Sequence, residues 1–302
     1  MLGVELPIVQ APMGWIARSQ LASAVSNSGG MGIIETSSGE LDAIKVEIKK
    51  MRDLTNKPFG VNIAQAFVKD PNIVQFVIDQ GIKFVTTSAG SPMKYTADLK
   101  AGGLMVFHVV PTLDAALKAV KAGVDGLIVE GGEGGGFKNP NDVASMVLLP
   151  LVRSKVDVPI IAAGGFIDGK TMAAAFSLGA EGIQMGTRMV SAAESPVHDN
   201  WKNAIVDAKE TGTVFLNKFH SPALRALRTE RTSRLERDPE TNAMSEFGTA
   251  LDLYFGGDME AAIPLSGQVA GRIESIKPVA EILAETQAEF FETINLLAQS
   301  YS

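Results

Sequence analysis

Residues 159–187 read PIIAAGGFIDGKTMAAAFSLGAEGIQMGT, two short apolar runs that each end in a glycine-bearing turn. The turns, Gly164-Gly165 and Gly186-Thr187, bare the backbone N–H groups at what read as the ends of neighbouring strands, which is what a phosphate group requires. The same stretch admits a second reading. Residues 164–171, GGFIDGKT, also satisfy the pattern G-x-x-x-x-G-K-[ST] of nucleoside-triphosphate-binding loops, with Lys170 and Thr171 of the right types. Which phosphate reading holds decides the fold.

Outward from this stretch, β-rich runs recur with helix-length segments between them: 7–10, 32–35, 59–63, 84–88, 104–108, 126–130, 159–163 and 182–185. Strands alternating with helices imply parallel βαβ units, and eight such units point to an α/β fold closed into a (β/α)8 TIM barrel. The runs are nearly continuous in apolar or small residues, as expected of strands covered on both faces. A triphosphate-binding core would need further parallel strands, one of them ending in a magnesium-holding acid. No convincing strand follows Met185, and Leu127-Ile128-Val129-Glu130 comes before the motif. A nucleotide-binding protein of the P-loop type is therefore the alternative from another class. On the barrel reading Asp168 caps a helix, Lys170 and Thr171 face solvent in its first turn, and Gly179 closes it.

The repeat is lost from about 203 to 263, where the text becomes charged and helical. The expected division is a barrel from 1–202 and 264–302, with 203–263 as a small helical cap inserted after the eighth strand. The tail returns to helical periodicity and is expected to pack back on the barrel. Within the cap, Arg225, Arg228, Arg231, Arg234 and Arg237 recur every three residues, a basic stripe if the segment is one helix.

The composition excludes several classes. A formal charge of −7 argues against nucleic-acid binding, and the lack of cysteine excludes disulfides, thiolate nucleophiles and zinc–cysteine sites. Three scattered histidines make no metal site. No basic leader or long apolar run is present, so the expectation is an unprocessed cytoplasmic protein without a membrane segment.

In a barrel, the site forms at the carboxyl ends of the strands, and phosphate sits between the loops after the last two. Those loops carry Gly164, Gly165, Gly186 and Thr187. Ala11, Pro12, Met13 and Gly14, with Trp15, follow the first strand, and Asn62 ends the third, so small residues and an amide are available to a heteroaromatic ring. The run 131–137, GGEGGGF, follows the sixth strand and lets backbone pass close to a flat or phosphorylated ligand. Glu130 and Glu133 either bond the ligand's hydroxyls or accept loop N–H groups. His108, at the end of the fifth run, is either a proton-transfer group or a polar residue that holds a loop.

Taken in order, PIVQAPMGW, KPFGVNI, VEGGEGGG, PIIAAGGFIDG, IQMGTR and SGQVAGRI resemble the nitronate monooxygenase (2-nitropropane dioxygenase) family over nearly the whole chain. That family includes flavin-dependent enoyl-thioester reductases and NAD(P)H:quinone reductases. The resemblance implies FMN, its phosphate on Gly164, Gly165, Gly186 and Thr187. It places the isoalloxazine near Ala11, Pro12, Met13 and Asn62, with Glu130, Gly134 and Gly135 along the ribityl and ring side. Members commonly read A-G-G-H after the sixth strand, where the histidine is the catalytic base or an active-site group. Here that position is Phe137, which cannot transfer a proton but can stack on a flavin or an unsaturated substrate. The expectation is hydride transfer from NAD(P)H to an enoyl thioester, a quinone or another small acceptor, with nitronate oxidation second. A homodimer is compatible with it.

Overall fold

In the computed structural model, which describes residues 1–38 and 41–301, the apolar runs form eight parallel strands of one sheet. In chain order the strands are β1 (Ile8–Gln10), β2 (Gly32–Ile34), β3 (Phe59–Ala64), β4 (Phe84–Ser88), β5 (Met105–Val110), β6 (Gly126–Glu130), β7 (Gly136–Lys138), β8 (Ile160–Ala163), β9 (Gly182–Met185), β10 (Thr213–Leu216) and β11 (Ala223–Leu227). The eight parallel strands are hydrogen-bonded in the order β1-β9-β8-β6-β5-β4-β3-β2. A parallel bridge between Val9 and Met31 joins the two ends of the sheet, with Met31 N donating to Ile8 O at 2.9 Å and Gln10 N to Met31 O at 3.0 Å. The sheet is a closed TIM barrel, as the spacing of the runs predicts.

Two separate apolar layers explain why the runs are apolar throughout. Val9, Ile33, Phe84, Phe107, Ile128 and Ile161 fill the barrel interior, where the Phe84 and Phe107 rings meet edge to face at 5.4 Å. Their chain neighbours, such as Ile8, Ile34, Leu127, Val129 and Ile160, belong to the larger core between strands and helices. A period of two within a strand thus gives apolar residues on both sides. The tail forms a helix, Val279–Tyr301, that packs on the helix Gly169–Ser177, with Phe176 and Phe290 rings 5.0 Å apart.

The segment expected to be a small helical cap also contains strands. It contains the helices Glu230–Arg237 and Ala250–Tyr254, but also β10 and β11, an antiparallel pair. β11 pairs in turn with β7, which comes from the loop after β6. The alternation Val214, Leu216, Leu224 and Ala226 faces a small core of its own, capped by Leu235, Ala243 and Ile263. The arginine row is therefore not one helical stripe. Arg225 lies in β11, Arg228 follows it, and Arg231, Arg234 and Arg237 lie in the next helix. Arg228 pairs with Glu236, Arg234 with Glu246, and Arg231 donates to the Glu260 and Glu246 carbonyls, so these side chains brace the segment itself.

Candidate active site

A cavity of about 830 Å³ opens at the carboxyl ends of the barrel strands and runs under the small β7-β11-β10 sheet. Its wall brings together most of the site residues singled out from the sequence, Ala11 to Gly14, Asn62, His108, Glu130, Gly134, Gly135, Phe137, Gly164, Gly165, Gly186 and Thr187, whereas Trp15 and Glu133 do not line it. This size suits a cofactor together with part of a substrate.

Two turns compete for a phosphate, and their surroundings differ. Gly164 and Gly165 have φ of +79° and +100°, left-handed geometry that only glycine adopts without strain. Gly164 also packs tightly, since a Cβ there would lie 2.6 Å from the Gly131 carbonyl oxygen. Beside it the helix Thr187–Val190 begins at Gly186 with no side-chain cap. Thr187 directs its hydroxyl elsewhere and accepts from Gly267 N at 2.8 Å.

The helix that starts at Gly169 is closed by its own residues. Asp168 accepts from Thr171 N at 2.8 Å, and the Thr171 hydroxyl accepts from Asp168 N in return, forming a capping box. Thr171 is thus a capping residue rather than one facing solvent. Glu289 from the C-terminal helix accepts from Gly169 N at 2.9 Å, and Lys170, which is exposed, pairs with the same carboxylate at 3.3 Å. A carboxylate already occupies the place that a triphosphate would need. The P-loop reading is overturned by this packing together with the closed barrel.

On the opposite side of the cavity, the Asn62 amide nitrogen is committed to Thr86 Oγ1 at 2.9 Å and Thr86 O at 3.2 Å, which orients the amide and leaves Oδ1 as its remaining polar atom. Met13 and Trp15 are half-buried, and the Trp15 ring meets Tyr254 edge to face at 6.2 Å. Burial keeps the Tyr254 hydroxyl protonated by raising its pKa, with a smaller contribution from Glu35. Gln184 on β9 lines the cavity, and its buried Oε1 has no hydrogen-bond partner within the protein. It is the one polar residue in the run GIQM, and that break in pattern could have marked it.

The two glutamates at the end of β6 and in the loop after it divide their roles. Glu133 accepts from Ser145 N at 3.0 Å and from Ser145 Oγ at 2.7 Å, so it secures the start of the next helix. Glu130 faces the cavity and pairs with Lys138 at 2.5 Å. Nothing in the sequence marks Lys138, because its position depends on β7 pairing with β11. The same strand holds Phe137, whose ring lies 5.4 Å from Phe67 and stacks near-parallel on Phe247 at 6.4 Å. Phe137 therefore joins a loop of the barrel to the small sheet across the cavity.

His108 lies inside β5, which continues to Val110, and not at its end. The ring is 3 % exposed; its Nδ1 shares a hydrogen bond with Thr87 Oγ1 at 2.7 Å, and the Gly90 backbone accepts another from the ring. Burial pushes its pKa down to about 4 against the smaller opposing effect of the Gly90 bond. The imidazole is neutral at pH 7, with both bonds spent on the neighbouring strand and loop.

No helix among the described residues is long and apolar enough to cross a membrane. A profile of the nitronate monooxygenase family matches residues 1–73 and 64–289. The chain is 38 % identical over 239 residues to a 5-hydroxy-7a-methyl-1-oxo-octahydro-1H-indene-4-carboxyl-CoA dehydrogenase of Mycobacterium tuberculosis, which covers 78 % of this chain and 67 % of that protein. The solved structure of FabK from Thermotoga maritima superposes with a TM-score of 0.93 at 38 % identity, covering 99 % of this chain and 97 % of that one. A nitroalkane oxidase from Streptomyces ansochromogenes superposes with a TM-score of 0.84 at 25 % identity, over 98 % of each chain. This chain belongs to the nitronate monooxygenase family of oxidoreductases.

Proposed function

We propose that the protein is an FMN-dependent oxidoreductase that transfers hydride from NAD(P)H to an activated unsaturated acceptor, with an enoyl thioester as the first choice. The family is flavin-dependent in general. The observation that carries the reading is the contrast between the two turns. The Gly164-Gly165 turn opens with Gly186-Thr187 on a cavity of about 830 Å³, whereas the triphosphate-like helix start is filled by Glu289. The unpartnered Gln184 Oε1 on the same wall fits a bound polar heterocycle or ribityl chain.

FMN, when bound, supplies two-electron hydride chemistry between the nicotinamide and the electron-poor double bond. The protein binds and orients. Gly164, Gly165, Gly186 and Thr187 take the phosphate, Asn62 and the residues 11–14 border the ring, and Glu130 accepts from ribityl hydroxyls. His108, neutral and doubly engaged, holds the Gly90 loop of the cavity wall rather than donating a proton. Phe137, with Phe67 and Phe247, offers an apolar face to an acyl chain or conjugated system.

The thioester choice draws on the carboxyl-CoA dehydrogenase among the relatives. The barrel segments 1–202 and 264–302 hold the cofactor in this reading, residues 203–263 with β7 shape the substrate side, and the enzyme works in the cytoplasm on NAD(P)H. Nitronate oxidation lacks the base that Phe137 replaces.

The test is stopped-flow reduction of the FMN-loaded protein by NADH and NADPH, followed by reoxidation with crotonyl-CoA, a quinone or an alkyl nitronate. Fast reoxidation by crotonyl-CoA and slow reaction with nitronate is the expected pattern. A protein that cannot be reconstituted with FMN sinks the reading. Phe137→His is expected to add nitronate oxidation, measured as nitronate-dependent oxygen uptake.

A further inference from the structure

The cavity wall contains a cation that the expected chemistry does not use. Two lysines line the cavity. Lys118 is exposed and paired with Asp114 on its own helix, while the Lys138 side chain is only 3 % exposed. The Lys138 ammonium has three protons to place. Its carboxylate partner is Glu130, and the Gly131 carbonyl lies at the outer limit of hydrogen bonding, 3.5 Å away. Holding a lysine out of water on so few partners is costly unless a further anion is present.

The location says which anion. Lys138 Nζ, Glu130 Oε1 and Gly164 Cα lie 2.5, 2.8 and 3.3 Å from one point, the place where a Gly134 side chain would begin. Any residue with a side chain at 134 would fill that space, so the glycine keeps it open. Gly164 belongs to the turn assigned to the cofactor phosphate, and Lys138 therefore stands at the edge of that turn. Its backbone is fixed independently: Lys138 pairs with Ala223 in β11, and Arg225 of the same strand donates to Gly132 O at 2.7 Å, tying the glycine loop to the small sheet. The sheet thus delivers a fixed positive charge to the barrel.

We propose that Lys138 is the charge partner of the FMN phosphate, with Glu130 holding the ammonium in place; this rests on the FMN reading given above. A backbone cradle recognises a phosphate through dipoles alone, whereas an ammonium inside the wall adds a charge-assisted contact that salt screens weakly. The consequence is selectivity for FMN over riboflavin, which has the same ring and ribityl chain and no phosphate.

The test is titration of the apoprotein with FMN and with riboflavin, followed by quenching of flavin fluorescence, for wild type, Lys138→Met, Lys138→Gln and Lys138→Arg. Wild type is expected to prefer FMN, and Lys138→Met to lose about tenfold or more in FMN affinity with riboflavin affinity nearly unchanged. Lys138→Gln, which keeps the length and polarity, is expected to lose the same preference and serves if the methionine variant fails to fold. Lys138→Arg is expected to retain the preference. A preference that survives loss of the charge overturns the proposal, whether both affinities fall together or neither changes. A wild type that binds neither flavin instead overturns the functional reading itself, and the proposal with it.

Discussion

The turn at Gly164-Gly165 and the helix start at Gly169 lie five residues apart, match overlapping phosphate patterns, and end up in opposite states. At Gly169 the polar groups find partners within the protein: Asp168 and Thr171 cap each other, and Glu289 takes the Gly169 backbone N–H. At Gly164-Gly165 the backbone faces a cavity whose wall also holds an unpartnered Gln184 oxygen and a sparsely partnered Lys138. The same division runs through the site. Glu133 secures a helix start away from the cavity and His108 bonds Thr87 across the strands, while Glu130 lines the cavity beside Lys138. A motif acquires its function from what packs against it, and a polar group that the fold leaves open is the better guide to a ligand.

Substitutions in the closed set are expected to cost stability and spare the cofactor, and those in the open set to do the reverse. Gly169→Val is the most severe closed-set change. Its side chain would meet the backbone of Thr286, Glu289 and Phe290, and overpacking of this kind costs about 3 kcal/mol, read from chemical denaturation. The folded fraction should still bind FMN.

His108 gives a pH-dependent version of the same contrast. Its folded pKa of about 4 lies below the 6.5 of a free imidazole, so the unfolded chain binds more protons between those values. Stability from this group is complete above pH 6.5 and is lost as pH falls toward 4, about 3 kcal/mol in all. Urea unfolding of the apoprotein at a series of pH values should show that slope, and His108→Gln should flatten it. The same variant should leave the pH dependence of hydride transfer between pH 6 and 8 unchanged.

Gly164→Ala tests the open set. The left-handed φ and the approach to Gly131 O predict a loss of about 1–2 kcal/mol in stability. FMN affinity should fall by at least about tenfold, because the turn cannot keep its shape. Lys170→Ala is the smallest change. It breaks an exposed pair with Glu289, for which a melting experiment should show less than about 1 kcal/mol and no change in flavin content.

The barrel was legible because eight apolar runs recur at helix-length spacing, and strands buried on both faces keep that signature in the one-dimensional text. The proposed phosphate turn was legible as glycines at two neighbouring strand ends. The sheet β7-β11-β10 was not, since β7 has three residues and pairs with a single strand about 85 positions away. Lys138 was invisible for the same reason, while the arginine spacing suggested a helix that pairing across β11 replaces. For His108 the strand position was readable and left both a proton-transfer and a loop-holding role open; the Thr87 and Gly90 bonds that occupy its ring depend on the neighbouring strand and its loop.

The most direct measurement of the central claim is a parallel titration of wild type, Gly164→Ala and Lys170→Ala apoproteins with FMN and with magnesium-ATP. The account predicts that wild type and Lys170→Ala bind one FMN per chain with equal affinity, that Gly164→Ala binds it at least about tenfold more weakly, and that none binds magnesium-ATP. Magnesium-ATP binding that Lys170→Ala abolishes, with FMN ignored, would contradict it.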